Sequence, residues 1–362
     1  MARNSRLAPI SAALAAAGLA ASLVAAAPAG AATPSATSSF ATPSSIASIG
    51  PWIAVTNLAT SSLTLLAADG GAIVRTVAHP LLRVASPTAV VAEPVRGRRT
   101  AFVAGTGGAI AELTLTAVGA TVGVDRLRVL RPLGCAGKAL LALDARGHVI
   151  EACANGVVVE WQPVTGAILR TITPATTHLT NVTGLAVLGA AAYLTNAAGT
   201  GGAPDGVTAL SLLTGARLRQ VTNATSAAYA FSAPAGIASD GTNLWETNAT
   251  SNTVDELAGG SLAFLGTTGT NLYDPGAVAA DRSFVWVSSQ SWLGSASMVT
   301  QFNVVNHAVQ SPWMMCNSNG PYQFDNPSGF AVHGGMLWVA NASNNLIDQM
   351  DATTGKLVGT YT

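Results

Sequence analysis

The sequence predicts an all-β fold, a seven-bladed β-propeller whose blades are four-stranded antiparallel sheets. Three observations support this prediction. A phrase recurs seven times at intervals of 41 to 52 residues, each copy contains several short strand-like segments, and turn-forming residues separate those segments. Repetition with this period is typical of arrays in which neighbouring units bury each other's apolar faces.

The first strand of each unit carries an apolar anchor residue. Several anchors follow a Pro-x-Gly motif, as at residues 234–236 and 327–329. In chain order the anchors are Ile46, Val90, Leu141, Leu185, Ile237, Val278 and Phe330.

The second strand carries a four-residue signature, which begins with an aromatic or apolar residue and ends with a small polar one. It reads YLTN at residues 193–196, WETN at 245–248 and WVAN at 338–341. Segments this short and this rich in Val, Ile, Thr, Trp and Tyr favour strands.

Tight turns join the remaining strands. Asp240-Gly241 and Gly334-Gly335 separate the first two strands of their units, and Thr-Gly pairs at 165–166, 214–215 and 354–355 precede the fourth strand. These residues suit turns that need positive φ. An open β-solenoid is the alternative fold, but its coils are shorter and parallel. The last unit shows all four strand signals, so we expect the ring to close without a strand borrowed from the N-terminus.

Residues 1–32 read as a secretory signal peptide. Arg3 and Arg6 precede an Ala/Leu/Val-rich stretch, and small residues at 29–32 provide a cleavage site. A membrane anchor is the alternative, although the stretch contains little Leu or Ile. Residues 33–42 are predicted to be a flexible lead-in rich in Thr, Ser, Pro and Ala, and residues 43–362 form the propeller. No later segment is long and apolar enough to span a bilayer.

The charge content limits the classes of partner. Formal net charge is zero and only 9% of residues are charged, whereas nucleic-acid binding needs a basic face. The basic clusters at 96–99 and 126–131 both fall in the second unit and are interpreted as loop or strand-edge solvation. We therefore expect no nucleic-acid partner, no cofactor and a monomer that binds an unknown protein, cell-surface component or small molecule.

Three cysteines are present. Cys135 and Cys153 flank a predicted hairpin, at a separation that lets them face each other across its open end. In an exported protein they either form a disulfide or remain two buried thiols. Cys316 is left unpaired.

The YLTN motif at 193–196 and its variants resemble the signature of the YVTN family of β-propeller repeat proteins. The segments PAGIASDG at 234–241 and PSGFAV at 327–332 resemble repeats of NHL-type propellers and of streptogramin lyases. This resemblance implies the propeller fold for residues 43–362. It leaves function open, because the wider group includes surface proteins, binding scaffolds, lactonases and lyases.

Resemblance to the lyases implies a His base, an acidic partner and a divalent metal on loops at one end of the channel. The chain has five histidines, and none follows the proline of a Pro-x-Gly anchor. Calcium-dependent lactonases need several carboxylates and amides on the axis, and no Asp or Glu recurs where it would point down the channel. We therefore predict no catalytic residue and no metal ligand.

Two units depart from the repeat at the second signature position, where Glu151 and Glu246 replace an aliphatic residue. A buried carboxylate there needs a partner. Either each Glu forms a local polar pair between blades, or it lies in a ligand pocket. The last signature residue is asparagine in four units, and it also has two interpretations. These asparagines either present amides around the ring or close a turn by bonding to their own backbone. They are Asn57, Asn196, Asn248 and Asn341.

The longest insertions all belong to loops that emerge on one face. They join strands two and three (197–207 and 288–298) or successive blades (222–233 and 311–326). Their large side chains either form a binding surface or fold back to plug the channel mouth. These side chains are Tyr229, Phe231, Trp292, Trp313, Met314, Met315, Tyr322 and Phe324.

The favoured hypothesis is an exported, non-catalytic propeller that binds a partner or small ligand through this long-loop face. The candidate ligand-binding residues are Glu151, Glu246, Trp292, Trp313 and Tyr322. The alternative is a propeller-class hydrolase or lyase with a divalent metal, in which Glu151 and Glu246 supply the acidic groups.

Overall fold

A computed structural model describes residues 39–95, 98–198, 203–269, 272–290, 297–310 and 321–362. Trp292, Trp313, Met314, Met315 and Cys316, together with residues 1–38, lie outside the described residues.

Seven antiparallel sheets form the blades of a β-propeller, as predicted. Blades 1 to 3 consist of β1 (Pro43–Ile49), β2 (Trp52–Asn57), β3 (Ser62–Ala67), β4 (Ile73–Val77); β5 (Pro87–Val95), β6 (Arg98–Gly105), β7 (Ile110–Val118), β8 (Thr121–Leu130); and β9 (Ala139–Leu143), β10 (Val149–Cys153), β11 (Val158–Gln162), β12 (Ala167–Ile172). Short helices α1 (His79–Leu82) and α2 (Pro174–Thr177) follow β4 and β12.

The remaining blades continue the same order. Blades 4 and 5 consist of β13 (Val182–Leu188), β14 (Ala191–Asn196), β15 (Gly206–Ser211), β16 (Arg217–Thr222); and β17 (Pro234–Ser239), β18 (Asn243–Asn248), β19 (Thr253–Ala258), β20 (Phe264–Thr268). Blades 6 and 7 consist of β21 (Pro275–Ala280), β22 (Phe284–Ser289), β23 (Met298–Asn303); and β24 (Pro327–His333), β25 (Met336–Asn341), β26 (Leu346–Asp351), β27 (Leu357–Tyr361).

Blade 6 is the shortest within the described residues. Its sheet has three strands, and the fourth is reduced to one bridge between Phe302 and Val309. No helix in the described part of the chain is long and apolar enough to cross a membrane.

Strand register agrees with the repeat alignment. In every blade the apolar anchor of the first strand lies directly opposite the second signature residue. The seven pairs are Ile46–Val55, Val90–Val103, Leu141–Glu151, Leu185–Leu194, Ile237–Glu246, Val278–Val287 and Phe330–Val339. Each unit of sequence is therefore one blade, and the solenoid alternative is excluded.

The ring closes between blades 7 and 1, both of which are complete four-stranded sheets. Strand β1 packs against β24 and β25, and the Ser328 hydroxyl donates to the carbonyl of Pro43 at 2.6 Å. Closure thus needs no exchanged strand, as predicted.

Ordered packing begins before Pro43, inside the segment expected to be a flexible lead-in. Phe40 is 1% exposed and packs among apolar residues of blades 7 and 1, and the Ala41 N–H donates to the Asn57 side chain. Burial of an aromatic ring offsets the entropy cost of ordering these residues.

Neighbouring blades meet at an interface that we call a joint. An apolar side chain three residues ahead of the first strand fills the joint with the preceding blade. Phe40, Val84, Leu179, Phe231, Leu272 and Phe324 occupy this position, and each is at most 2% exposed. Because one blade cannot bury both of its faces, these joints supply the core of the ring.

Candidate functional site

A cavity of about 570 Å³ lies on the axis of the ring. First strands of all seven blades line it, as expected for the innermost strand of each sheet. The lining consists mostly of small or hydroxyl-bearing residues, among them Ser44, Ser45, Thr88, Thr183, Gly236, Ala277 and Ser328.

The cavity reaches the face that carries the long loops. Its rim includes Leu58, Gln290 and Ala342, which follow second strands, and Thr42 and Asn326, which precede first strands. Gln290 Nε2 donates to Asn326 Oδ1 at 2.6 Å, a bond that ties two of these segments together. Phe330 is the one aromatic residue among the described lining residues.

Lys138 is the one charged residue among the described residues that line the cavity. Its side chain remains accessible to water, but protein surrounds it closely enough that lost hydration lowers the pKa of its ammonium. No described residue forms an ion pair or side-chain hydrogen bond with it. An unpaired ammonium in a partly desolvated cavity is suited to binding an anion.

Sequence reasoning missed Lys138, although a signal was present. Three residues before the anchor, five units have a proline: Pro43, Pro87, Pro234, Pro275 and Pro327. Blade 4 has Val182 there, and blade 3 has Lys138. This exception to the repeat places the ammonium at the start of an axial strand.

Hydroxyl groups on the first strands bond to backbone carbonyls of the next blade. Ser44 Oγ donates to Pro87 O, and Thr183 Oγ1 donates to Pro234 O, each at 2.6 Å. Thr88 Oγ1 donates to Ala139 O at 2.7 Å. Since these donors are already engaged, the ammonium of Lys138 is the strongest free donor that the described wall offers a ligand.

Tyr322 lies away from the cavity, in the joint between blades 6 and 7. Its hydroxyl donates to the Gly355 carbonyl at 2.7 Å, its ring stacks on Phe324, and burial raises the pKa of its phenol. Tyr229 and Phe231 stack in the same way between blades 4 and 5. These four aromatic residues neither plug the channel nor form an exposed patch, because joint packing takes up their apolar surface.

Glu246 is fully buried between blades 4 and 5, outside the cavity lining. Its Oε2 accepts a 2.7 Å bond from Asn248 Nδ2, while its Oε1 has no partner. Burial raises the pKa of Glu246 well above its usual value, and the negative charges of Asp255 and Asp205 raise it further against the opposing bond from Asn248. The site of Glu246 therefore favours the protonated acid over the carboxylate.

Glu151 is also fully buried outside the cavity lining, beside Cys135 and Cys153. Burial raises its pKa to about 8, and the nearby indole of Trp161 offsets the rise only in part. Its Oε2 has no hydrogen-bond partner. The structure does not bring Glu151 and Glu246 together, since they belong to joints two blades apart.

Cys135 and Cys153 form a disulfide with a Cα–Cα distance of 5.5 Å. Cys135 takes the joint position that an apolar residue fills in the other blades, and Cys153 takes the last signature position. Gly108 of blade 2 allows this approach, since a Cβ there would lie 2.4 Å from the Cys135 Sγ.

Asparagines at the last signature position link each second strand to the segment before its blade. Their side-chain oxygens accept from backbone N–H groups 16 residues earlier, in the pairs Asn57–Ala41, Asn196–Thr180, Asn248–Ser232 and Asn341–Asp325. Their side-chain oxygens therefore bond to the backbone of a distant loop, and Asn196 also donates through Nδ2 to backbone carbonyls of the loop that follows its own strand.

Two clusters of described residues have the residue types of a metal site. In the first, Cys135, Glu151 and Cys153, the two sulphurs are bonded to each other. In the second, Asp144, His148 and Glu160, the carboxylates already form ion pairs with Arg146 and Arg170. The described residues lining the axial cavity include no Asp, Glu or His.

Comparisons with known proteins support the fold alone. No protein-family model and no curated protein matches the sequence. Among 1381 solved chains that are similar is Raptor from Chaetomium thermophilum, with a TM-score of 0.68 and 13% identity. The match covers 86% of this chain and 28% of that one. At this identity the likeness establishes a propeller and leaves the function to the chemistry of the site.

Proposed function

We propose that this protein is an exported binding scaffold that takes up a small anionic ligand, such as a carboxylate or phosphate ester, in the axial cavity through its long-loop face. One observation carries the proposal: the unpaired ammonium of Lys138 in a cavity of about 570 Å³ whose described wall has no other charged group.

Size and wall chemistry support a small molecule as the ligand. The volume lies within the range of small-molecule sites, and such sites typically combine mostly apolar walls with a few polar groups. Lys138 supplies a cation, and Gly236 and Gly276 line the wall without side chains. Because the first strands are tied together by hydroxyl-to-carbonyl bonds, the cavity is formed in advance of binding.

Export rests on the N-terminal sequence. A basic start, an Ala/Leu/Val-rich stretch and small residues at 29–32 together have the features of a cleaved signal. A disulfide between Cys135 and Cys153 is compatible with an oxidising compartment.

A paired ligand screen by saturation-transfer NMR tests the proposal. Each pair contains an anionic compound and a neutral analogue of the same shape. The purified propeller is expected to bind the anionic member of a pair. Lys138→Met is expected to lower the affinity for that compound by at least about tenfold. Lys356→Met is the matched control, since Lys356 is exposed on the turn between β26 and β27.

Affinity is also expected to fall as pH rises. Lys138 binds an anion only in its charged form, and its pKa is below the usual 10.5. Weakening should therefore begin at a lower pH than for an ordinary lysine. Equal binding of charged and neutral members, or unchanged binding by Lys138→Met, would contradict the proposal.

A further inference from the structure

The Cys135–Cys153 disulfide differs from the joints that the other blades use. At the position of Cys153, the last signature residue, four other blades have an asparagine whose side chain bonds to the backbone 16 residues earlier. At the position of Cys135, three residues ahead of the first strand, the six other blades have a buried apolar side chain. The other blades therefore pack against their neighbours without a covalent bond. In blade 3, cysteines replace both the asparagine and the apolar residue.

A buried acid lies beside this disulfide. Glu151 Oε1 is 3.7 Å from Cys135 Sγ, and one carboxylate oxygen lies within 4.8 Å of both sulphurs. Glu151 is 0% exposed, and its Oε2 has no partner among the described residues. A buried carboxyl without a full set of hydrogen bonds costs stability. A disulfide that only cross-links the chain does not need one.

Accessibility of the two sulphurs is unequal. Cys135 is half-buried on the loop before β9, between Gly134 and Gly137, which both have positive φ. Cys153 is fully buried in β10. An incoming thiolate therefore reaches Cys135 first, and Cys153 becomes the leaving group in a site with little water.

From this arrangement we propose that Cys135 and Cys153 form a thiol–disulfide exchange site in which Glu151 protonates the departing sulphur of Cys153. The substrate class is a thiol, either a small molecule or a cysteine side chain. This inference is independent of ligand binding in the axial cavity.

The chemistry balances as follows for a thiol R–SH. Its thiolate attacks Cys135 Sγ, an S–S bond forms there, the Cys135–Cys153 bond breaks and the electron pair moves to Cys153 Sγ. Glu151 transfers its proton to that sulphur. A second thiolate then attacks the R-group sulphur of the mixed disulfide, so that Cys135 leaves as a thiolate and R–S–S–R forms. Of the two protons that the thiols released to water, one protonates the Cys135 thiolate and the other restores the proton of Glu151, so both protein cysteines end as thiols.

The protonation state of Glu151 suits this role. With a pKa raised to about 8 by burial, Glu151 carries its proton at pH 7. Cys135, Cys153 and the indole of Trp161 face it, and no described residue forms an ion pair with it. Since the attacking thiolate becomes more abundant as pH rises while protonated Glu151 becomes scarcer, exchange should be fastest near pH 8.

Reduction by glutathione, followed by mass spectrometry after alkylation, tests the inference in a Cys316→Ser background. The parent protein should show a rate maximum near pH 8. Glu151→Gln should be slower at pH 7 by about tenfold or more and should show a rate that only rises with pH. Glu246→Gln is the matched control, because Glu246 occupies the equivalent position in blade 5, and its profile should match the parent.

A trapping variant gives a second readout that does not depend on Glu151→Gln folding normally. Cys153→Ser leaves Cys135 without its partner, and Cys135 should then form a mixed disulfide with oxidised glutathione in the folded protein. Absence of that adduct, or a parent rate that rises with pH without a maximum, would overturn the proposal. Identical pH profiles for the parent and Glu151→Gln would also overturn it.

Discussion

Asn196 Oδ1 accepts a 3.0 Å hydrogen bond from the backbone N–H of Thr180, which lies in the segment that enters blade 4. It also accepts from the Asn181 N–H at 3.0 Å, and its Nδ2 donates to the carbonyls of Ala203 and Pro204 at 3.1 Å. One amide thus satisfies backbone groups from both segments that flank the long-loop end of its blade.

Asn196→Ala should lower the free energy of unfolding by about 1–3 kcal/mol, because two partly buried N–H groups and two carbonyls lose their partner. Chemical denaturation measures this change. Asn306→Ala, at an exposed turn position, is the control and should change stability by less than about 0.5 kcal/mol. A loss at Asn196 no larger than the control's would show that water replaces the amide.

Glu246→Gln should stabilise the protein at pH 8 and have little effect at pH 4. The folded-state pKa of Glu246 is raised, so the native state favours the protonated acid, and the stability that this acid contributes is lost as pH rises. Glutamine keeps the neutral shape at every pH. We expect a gain of about 1–3 kcal/mol at pH 8, comparable to the cost of an unsatisfied buried group.

Thermal or urea unfolding across pH 4–8 measures this effect. Glu93→Gln, which replaces a partly buried carboxyl on β5, is the control, and its gain in stability at pH 8 should be smaller than that of Glu246→Gln. A Glu246→Gln variant that is less stable than the parent at pH 8 would mean that the ionised carboxylate is the native form.

Ser328→Ala should weaken the joint at which the ring closes. Ser328 Oγ donates to Pro43 O across a chain separation of 285 residues. Ser44 Oγ makes an equivalent 2.6 Å bond to Pro87 O between consecutive blades. Each alanine variant should cost about 1 kcal/mol of global stability.

Hydrogen exchange distinguishes these two serine variants. Because no chain connects blade 7 to blade 1, loss of the Ser328 bond should speed exchange locally in β1 and β24. Ser44→Ala should leave exchange in β24 unchanged. Similar exchange in β1 and β24 for both variants would show that apolar packing alone, including Phe40, holds the closure.

Processing of the N-terminus is a further prediction from the sequence. Secreted protein should begin at Ala32 or Thr33, and intact-mass measurement of the secreted chain checks this. Replacing Ala31 and Ala32 with Leu should retain the precursor, since small residues are needed at the cleavage site. A secreted chain that still carries residues 1–31 would contradict signal cleavage.

Much of the fold could be predicted because strand pairing within a blade is local. Anchors and signature residues lie about ten residues apart, and the alternation of side chains fixes which of them face each other. Ile46 opposite Val55 and Phe330 opposite Val339 both follow from the aligned repeat. The flexible lead-in was predicted to extend to residue 42, but Phe40 packs against blade 7, a contact that the local sequence does not reveal.

The candidate site was harder to predict, because it depends on contacts between blades. Deviation from the repeat identified Glu151 and Glu246 as unusual, yet both lie between blades rather than on the axis. Tyr322 looked exposed from its loop, but its ring lies against Phe324 and its hydroxyl bonds to Gly355. Trp292 and Trp313 lie outside the described residues and remain predictions.

The sequence by itself determined seven units, the strands within each unit and the turns between them, since these depend on residues close together in the chain. Only the tertiary structure decided which side chains face the axis and which face a neighbouring blade. Lys138 lines the cavity because the closed ring brings the first strands of all seven blades around one axis, including blades distant in sequence. Glu151 lies against the disulfide because the fold of blade 3 brings Cys135 beside β10.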